Sequence, residues 1–134
     1  MLWRKVIGFW KSFLVIGAIT YTSLLREPTI SLPHIVGLDK WIHGAMYLWL
    51  TLTLLWDSRA LGWCWTDGMP KQKLWWIILA FPAIFGGFIE VLQEMFFYPR
   101  TGDWWDWLAD CMGVIVGMIV WIIGTLWHAR RVAK

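Results

Sequence analysis

The chain has 134 residues, 59% of them apolar, a mean hydropathy of +0.56 and a formal net charge of +3. One domain fits this length, and the apolar fraction exceeds the roughly 45–50% of soluble domains. No run of Lys and Arg is longer than two residues, so the small positive charge does not describe a nucleic-acid surface. Fourteen tryptophans point instead to membrane–water interfaces, where this amphipathic ring concentrates.

A bilayer core about 30 Å thick needs about 20 mostly apolar residues per spanning helix. Four windows qualify: roughly 6–25, 39–56, 74–98 and 105–127. The expected fold class is an all-α membrane protein, a single domain over 1–134 built as a four-transmembrane-helix bundle. Arg4 and Lys5 before the first window resemble a secretory signal, but Lys11 interrupts the run and no small-residue cleavage site follows Ser23. A retained anchor is the expectation. The second window is short for a span and begins with charge.

Orientation follows from the basic residues. With both termini inside, Arg4, Lys5, Lys11, Arg59, Lys71, Lys73, Arg130, Arg131 and Lys134 lie on the inner side and Arg26, Lys40 and Arg100 outside. This bias predicts an N-in/C-in topology. Asp57 and Asp67 then fall in an inner loop over 57–73. Glu27, Asp39, Glu90, Glu94, Asp103, Asp106 and Asp110 gather at the outer end. The positive-inside rule does not require that acidic clustering, so the outer side is expected to hold something that uses carboxylates. Cys64 and Cys111 fall on opposite sides and carry no disulfide or metal framework.

Ionisable side chains at membrane depth are costly and tend to face the bundle interior. In the second window Lys40, His43 and Tyr47 share one helical face, with Asp39 at its mouth. In the third, Glu90, Gln93 and Glu94 share a face near the outer end, and Pro82 with Gly86-Gly87 predicts a bend below them. The fourth carries Asp103, Asp106 and Asp110 on a stripe continued by Gly113 and Gly117, a spacing that lets another helix come close. Asp106 is a candidate cap for this helix. The tight link at 99–104 pairs the third and fourth helices and brings Arg100 near the acids. A polar pocket near the outer surface is the expected result.

The stretch Asp39-Lys40-x-x-His43-x-x-x-Tyr47 resembles the second-helix motif of the VanZ-like family. Glu90-x-x-Gln93, Arg100, Asp103-x-x-Asp106 and Gly113-x-x-x-Gly117 are similar to its second motif, so the resemblance covers roughly 39–117. The family usually has Asn where this chain has Asp110, which adds charge to the pocket. VanZ-like proteins are small bacterial membrane proteins named for an accessory factor in resistance to the glycopeptide teicoplanin. The resemblance implies the bacterial cytoplasmic membrane, an envelope role and an outward-facing site, but no reaction.

Three function classes compete. A binding module would hold a lipid-linked envelope molecule or a lipoglycopeptide beside membrane lipids. Trp41, Trp104 and Trp105 would lie on its acyl part, the acids would take amines, and Arg100 with Lys40 would take anionic groups. A membrane-embedded hydrolase or transferase acting on an envelope lipid would use Glu90, Asp106, Asp110 and His43, which are also candidate ligands for a divalent cation. Transport would need a relay through the inner half, where the windows show no acid or histidine away from Lys11. No resident cofactor is expected from the sequence. Absent a metal, Asp110 is expected to be paired with Arg100, Lys40 or His43, or protonated.

Overall fold

The computed structural model describes residues 7–25, 37–62, 65–66, 69–70, 72–97 and 102–133. Its architecture is all-helical. Helix α1 spans Trp10–Thr20 and continues as one π-helical segment, Tyr21–Leu25. Helix α2 spans Leu38–Ala60, α3 Gln72–Phe96 and α4 Trp104–Val132. Between α2 and α3 a two-residue antiparallel pair sets Trp65 opposite Pro70 and Thr66 opposite Met69.

Local chemistry explains the helix ends. At the end of α1 the Thr20 hydroxyl donates to the Ile16 carbonyl at 2.8 Å, and that of Thr22 to Ala18 at 2.9 Å. Hydroxyls that take carbonyls one turn back compete with the backbone amides, and the register widens from α to π there. Helix α2 follows Gly37, at φ 82°, and ends before Gly62, at φ 62°. Both positions need the left-handed region that glycine enters freely, and Gly62 N–H donates to the Arg59 carbonyl as the helix closes. Helix α4 is capped by Asp103, whose carboxylate accepts from Trp105 N–H at 2.9 Å. Asp103 therefore fills the capping role expected of Asp106.

Helix α2 is the longest departure from the expected spans. It covers 23 residues rather than 39–56, a rise of about 34 Å. Asp57 thus lies in its last turn and not in an inner loop. Helix α4 runs five residues beyond its expected end, and α3 sits two residues earlier than expected at both ends. The third helix is continuous through Pro82, Gly86 and Gly87.

Helix α2 packs along α4 at a glycine seam. A Cβ on Gly113 would collide with the Gly44 carbonyl oxygen, and one on Gly117 would stand 3.1 Å from the Leu48 carbonyl. Only the absence of side chains allows that approach. Ile19, Tyr47, Leu50 and Val114 form one core cluster, with Leu55, Ile78 and Met118 below it.

The distribution of side chains is inverted relative to a soluble protein. Ser12, Thr51, Asp57, Ser58, Glu90, Gln93 and Asp110 are buried, while Trp49, Trp76, Phe88, Met112 and Ile123 are exposed. Soluble monomers rarely expose contiguous apolar patches beyond a few hundred Å². Among the described residues two helices, Trp76–Phe96 and Trp104–Val132, are long and apolar enough to cross a membrane, and only 33% and 28% of their most apolar stretches are buried.

Candidate functional site

Three helices bring the sequence-predicted residues to one end of the bundle. From α2, Lys40 reaches across to α4. Its Nζ lies 2.8 Å from Asp106 Oδ1 and 3.2 Å from Asp103 Oδ2. One turn deeper on the same two helices, His43 Nδ1 lies 3.1 Å from Asp110 Oδ1. The i, i+3 step on α2 and the i, i+4 step on α4 keep both pairs in register. Asp110 is 1% exposed and is thus paired with His43, one of the partners expected for it in the absence of metal.

Glu90 enters from α3. Its Oε2 accepts the Asp103 backbone N–H at 2.9 Å, tying α3 to the start of α4. Glu94 does the same one turn outward, accepting Gly102 N–H at 2.9 Å. The exposed Asp103 carboxyl is held below its ordinary range, first by the Trp105 N–H bond and then by Lys40. Gly86 leaves the notch into which Asp110 fits, since a Cβ there would stand 2.7 Å from Asp110 Oδ2 and 3.3 Å from the Tyr47 ring. Gly87 similarly admits Trp107, whose indole N–H donates to the Ala83 carbonyl.

Two buried polar atoms at this end have no hydrogen-bond partner among the described residues: Glu90 Oε1 and the Tyr47 hydroxyl. Glu90 is 6% exposed and Tyr47 1%. Orphaned polar groups cost about 1–3 kcal/mol each, so such a pair within one cluster calls for an occupant or a role.

Not every expected residue joins the site. Gln93 is buried but points at α1, its Nε2 donating to the Ser23 carbonyl at 2.9 Å. Asp39 is exposed at the mouth. Arg100 lies outside the described residues. The four expected metal candidates do not form one set: His43 groups with Glu90 and Asp110, and separately with Asp39 and Asp106.

In front of Glu90 lies an open cleft of about 330 Å³ lined by Gly87, Glu90, Val91, Glu94, Met95, Gly102 and Trp104. Two glutamates and three apolar side chains share its lining. Trp104 belongs to it, whereas Trp41 and Trp105 are exposed elsewhere on the surface.

The sequence reading missed a second polar cluster at the opposite end. Asp57 is fully buried and accepts Ser12 N–H at 3.0 Å, the Ser12 hydroxyl at 2.8 Å and, more distantly, Lys11 Nζ at 3.4 Å. The available signal was Lys11 itself, a charge inside an apolar run that needed a partner at matching depth. Searched against known proteins, the chain matches no family model, no curated protein and no solved structure.

Proposed function

We propose that this chain is a VanZ-like protein of a bacterial cytoplasmic membrane, a four-span bundle with both termini inside. Its outward-facing cleft binds the amine-bearing headgroup of an amphiphile, a lipid-linked envelope molecule or a lipoglycopeptide such as teicoplanin, and the protein thereby contributes to glycopeptide resistance.

The observation that carries this reading is the cleft. Glu90 and Glu94 stand on one wall, and Val91, Met95 and Trp104 offer apolar surface beside them. That combination suits a cationic head with an attached chain. Charge points the same way. Asp39, Glu90, Glu94, Asp103, Asp106 and Asp110 are six carboxylates, against which the described residues of this end set only Lys40 and His43. The membrane setting is supported by the nine-to-three basic bias and the exposed apolar side chains. What supports the resemblance is that Lys40 and His43 of its first motif contact Asp103, Asp106 and Asp110 in the stretch of its second, which runs from Glu90 to Gly117.

The test is equilibrium binding of teicoplanin to the protein in lipid nanodiscs. Glu94→Gln and Trp104→Ala should each weaken binding several-fold while the bundle stays folded, and cells carrying them should lose protection in step. Wild-type affinity in both variants refutes the cleft as the binding site. A second reading is a membrane-embedded hydrolase or transferase acting on an envelope lipid. It is favoured by one observation, an imidazole hydrogen-bonded to a buried carboxylate at His43–Asp110, the arrangement that orients a general base. Turnover of a phospholipid or lipid-linked pyrophosphate by the purified protein would decide for it.

A further inference from the structure

Behind the cleft wall, the same end of the bundle gathers a side-chain cluster that shares only Glu90 with the cleft lining. His43 from α2, Glu90 from α3 and Asp110 from α4 each present one ligand atom within 4.8 Å of the other two. Three helices therefore converge on one point with a nitrogen and two carboxylate oxygens. Glu90 Oε1 is buried there without a partner, while its other oxygen is held by the Asp103 backbone. Tyr47, whose hydroxyl also lacks a partner, stands with its ring edge against the same Gly86 notch as Asp110.

We propose that His43, Glu90 and Asp110 bind a first-row divalent cation such as Zn²⁺ or Mn²⁺. Two other cations do not fit there. The ammonium of a tailed amphiphile cannot reach Glu90 Oε1, because that atom is sealed from the cleft. Lys40 cannot serve, because Asp103 and Asp106 already hold its ammonium. Two carboxylates with a neutral imidazole carry two negative charges, which a divalent ion cancels in a region where unpaired charge costs several kcal/mol.

Geometry and donor type agree. An ion with ligands at about 2.1 Å holds them roughly 3–4 Å apart, so atoms already within 4.8 Å need only side-chain rotation. One imidazole with two carboxylates suits zinc or manganese better than calcium or magnesium, which take oxygen alone. Glu90 would then join two functions, walling the cleft through its stem and ligating the ion through Oε1. Asp110 supplies the second negative charge.

This inference does not depend on what occupies the cleft, and its test separates the two. Full-length protein is stripped with chelator, exposed to Zn²⁺, desalted and assayed by elemental analysis. Wild type should retain about one equivalent. His43→Ala and Asp110→Asn should lose most of it, whereas Glu94→Gln, which leaves all three ligands in place, should keep it. No retained zinc in folded wild type overturns the proposal. So does zinc lost in Glu94→Gln but kept in His43→Ala, which would place the ion on exposed acids. Should the variants fail to fold, zinc-edge X-ray absorption of loaded wild type decides. A nitrogen and oxygen shell at about 2.0–2.1 Å supports the site. A sulfur shell at about 2.3 Å would move the ion to a cysteine and overturn it.

Discussion

Removing the Asp57 carboxylate should destabilise the bundle although it lies far from the cleft. Helix α1 begins after Phe9, which offers no side-chain oxygen to the free N–H groups of the first turn. Ser12 is the third residue of that helix, and its N–H is donated across the bundle to Asp57 Oδ2 at 3.0 Å. Asp57, at the end of α2, thus caps a helix to which it is not connected locally, and its charge faces the positive end of the α1 dipole. Loss of a cap costs about 0.5–2 kcal/mol. The Ser12 hydroxyl, at 2.8 Å from the same oxygen, would lose a bond to a charged acceptor worth about 1.5–3 kcal/mol. Asp57→Ala should therefore cost about 2–5 kcal/mol in total. Asp57→Asn keeps an acceptor for Ser12 N–H and should cost less. Lys11→Met should cost under about 1 kcal/mol, since the 3.4 Å pair is long and Lys11 is partly exposed. Unfolding followed by near-UV circular dichroism in detergent measures all three. An Asp57→Ala loss below about 0.5 kcal/mol, the range of neutral surface changes, would refute the cross-helix cap.

Gly113→Ala should destabilise by about 1–3 kcal/mol, because its methyl would meet the Gly44 carbonyl and the two backbones cannot yield separately. Gly124→Ala meets nothing within 4 Å and should be neutral or stabilising by about 0.5–1 kcal/mol; equal effects at both positions in the same unfolding assay would contradict a glycine seam. For topology, single cysteines introduced at Lys71 and Thr101 in a cysteine-free background should differ in intact cells. Position 101 should react with an impermeant reagent and position 71 should not, and the reverse pattern would move the acidic end inside.

The helices were legible because each rests on a local signal. Apolar runs of spanning length gave their number, and the periodicity of Lys40, His43 and Tyr47 and of Asp103, Asp106 and Asp110 gave the faces that meet. Partner assignments were less legible. Whether Asp103 or Asp106 capped α4 depended on where the first helical turn began, a difference of three residues. The inward side of Gln93 depended on α1, whose widened end presents the Ser23 carbonyl. Asp57 was misplaced because the end of α2 was judged by hydropathy, while the helix continues through Ser58 and Arg59 until Gly62 closes it. Hydrogen bonding, not apolarity, sets that boundary.

The two polar clusters differ in how completely their carboxylates are satisfied. Both bury carboxylates where ionised groups are expensive, so each must recover that cost from partners. At one end Asp57 receives two short hydrogen bonds from Ser12 and a longer one from Lys11, and its role is fully described by joining α1 to α2. At the other end Asp110 has His43, but among the described residues Glu90 keeps an oxygen unbonded, Tyr47 keeps a hydroxyl unbonded, and the acids outnumber the cations. A cluster serving only to join helices would gain stability by replacing Glu90 with Gln, whose amide would remove the charge and add donors. Retaining the carboxylate there sacrifices stability for an acceptor that points into the bundle. The fold tolerates this because Gly86 and the Gly44–Gly113 contact bring the three helices close enough to shield the cluster, with the cleft opening on its outer wall.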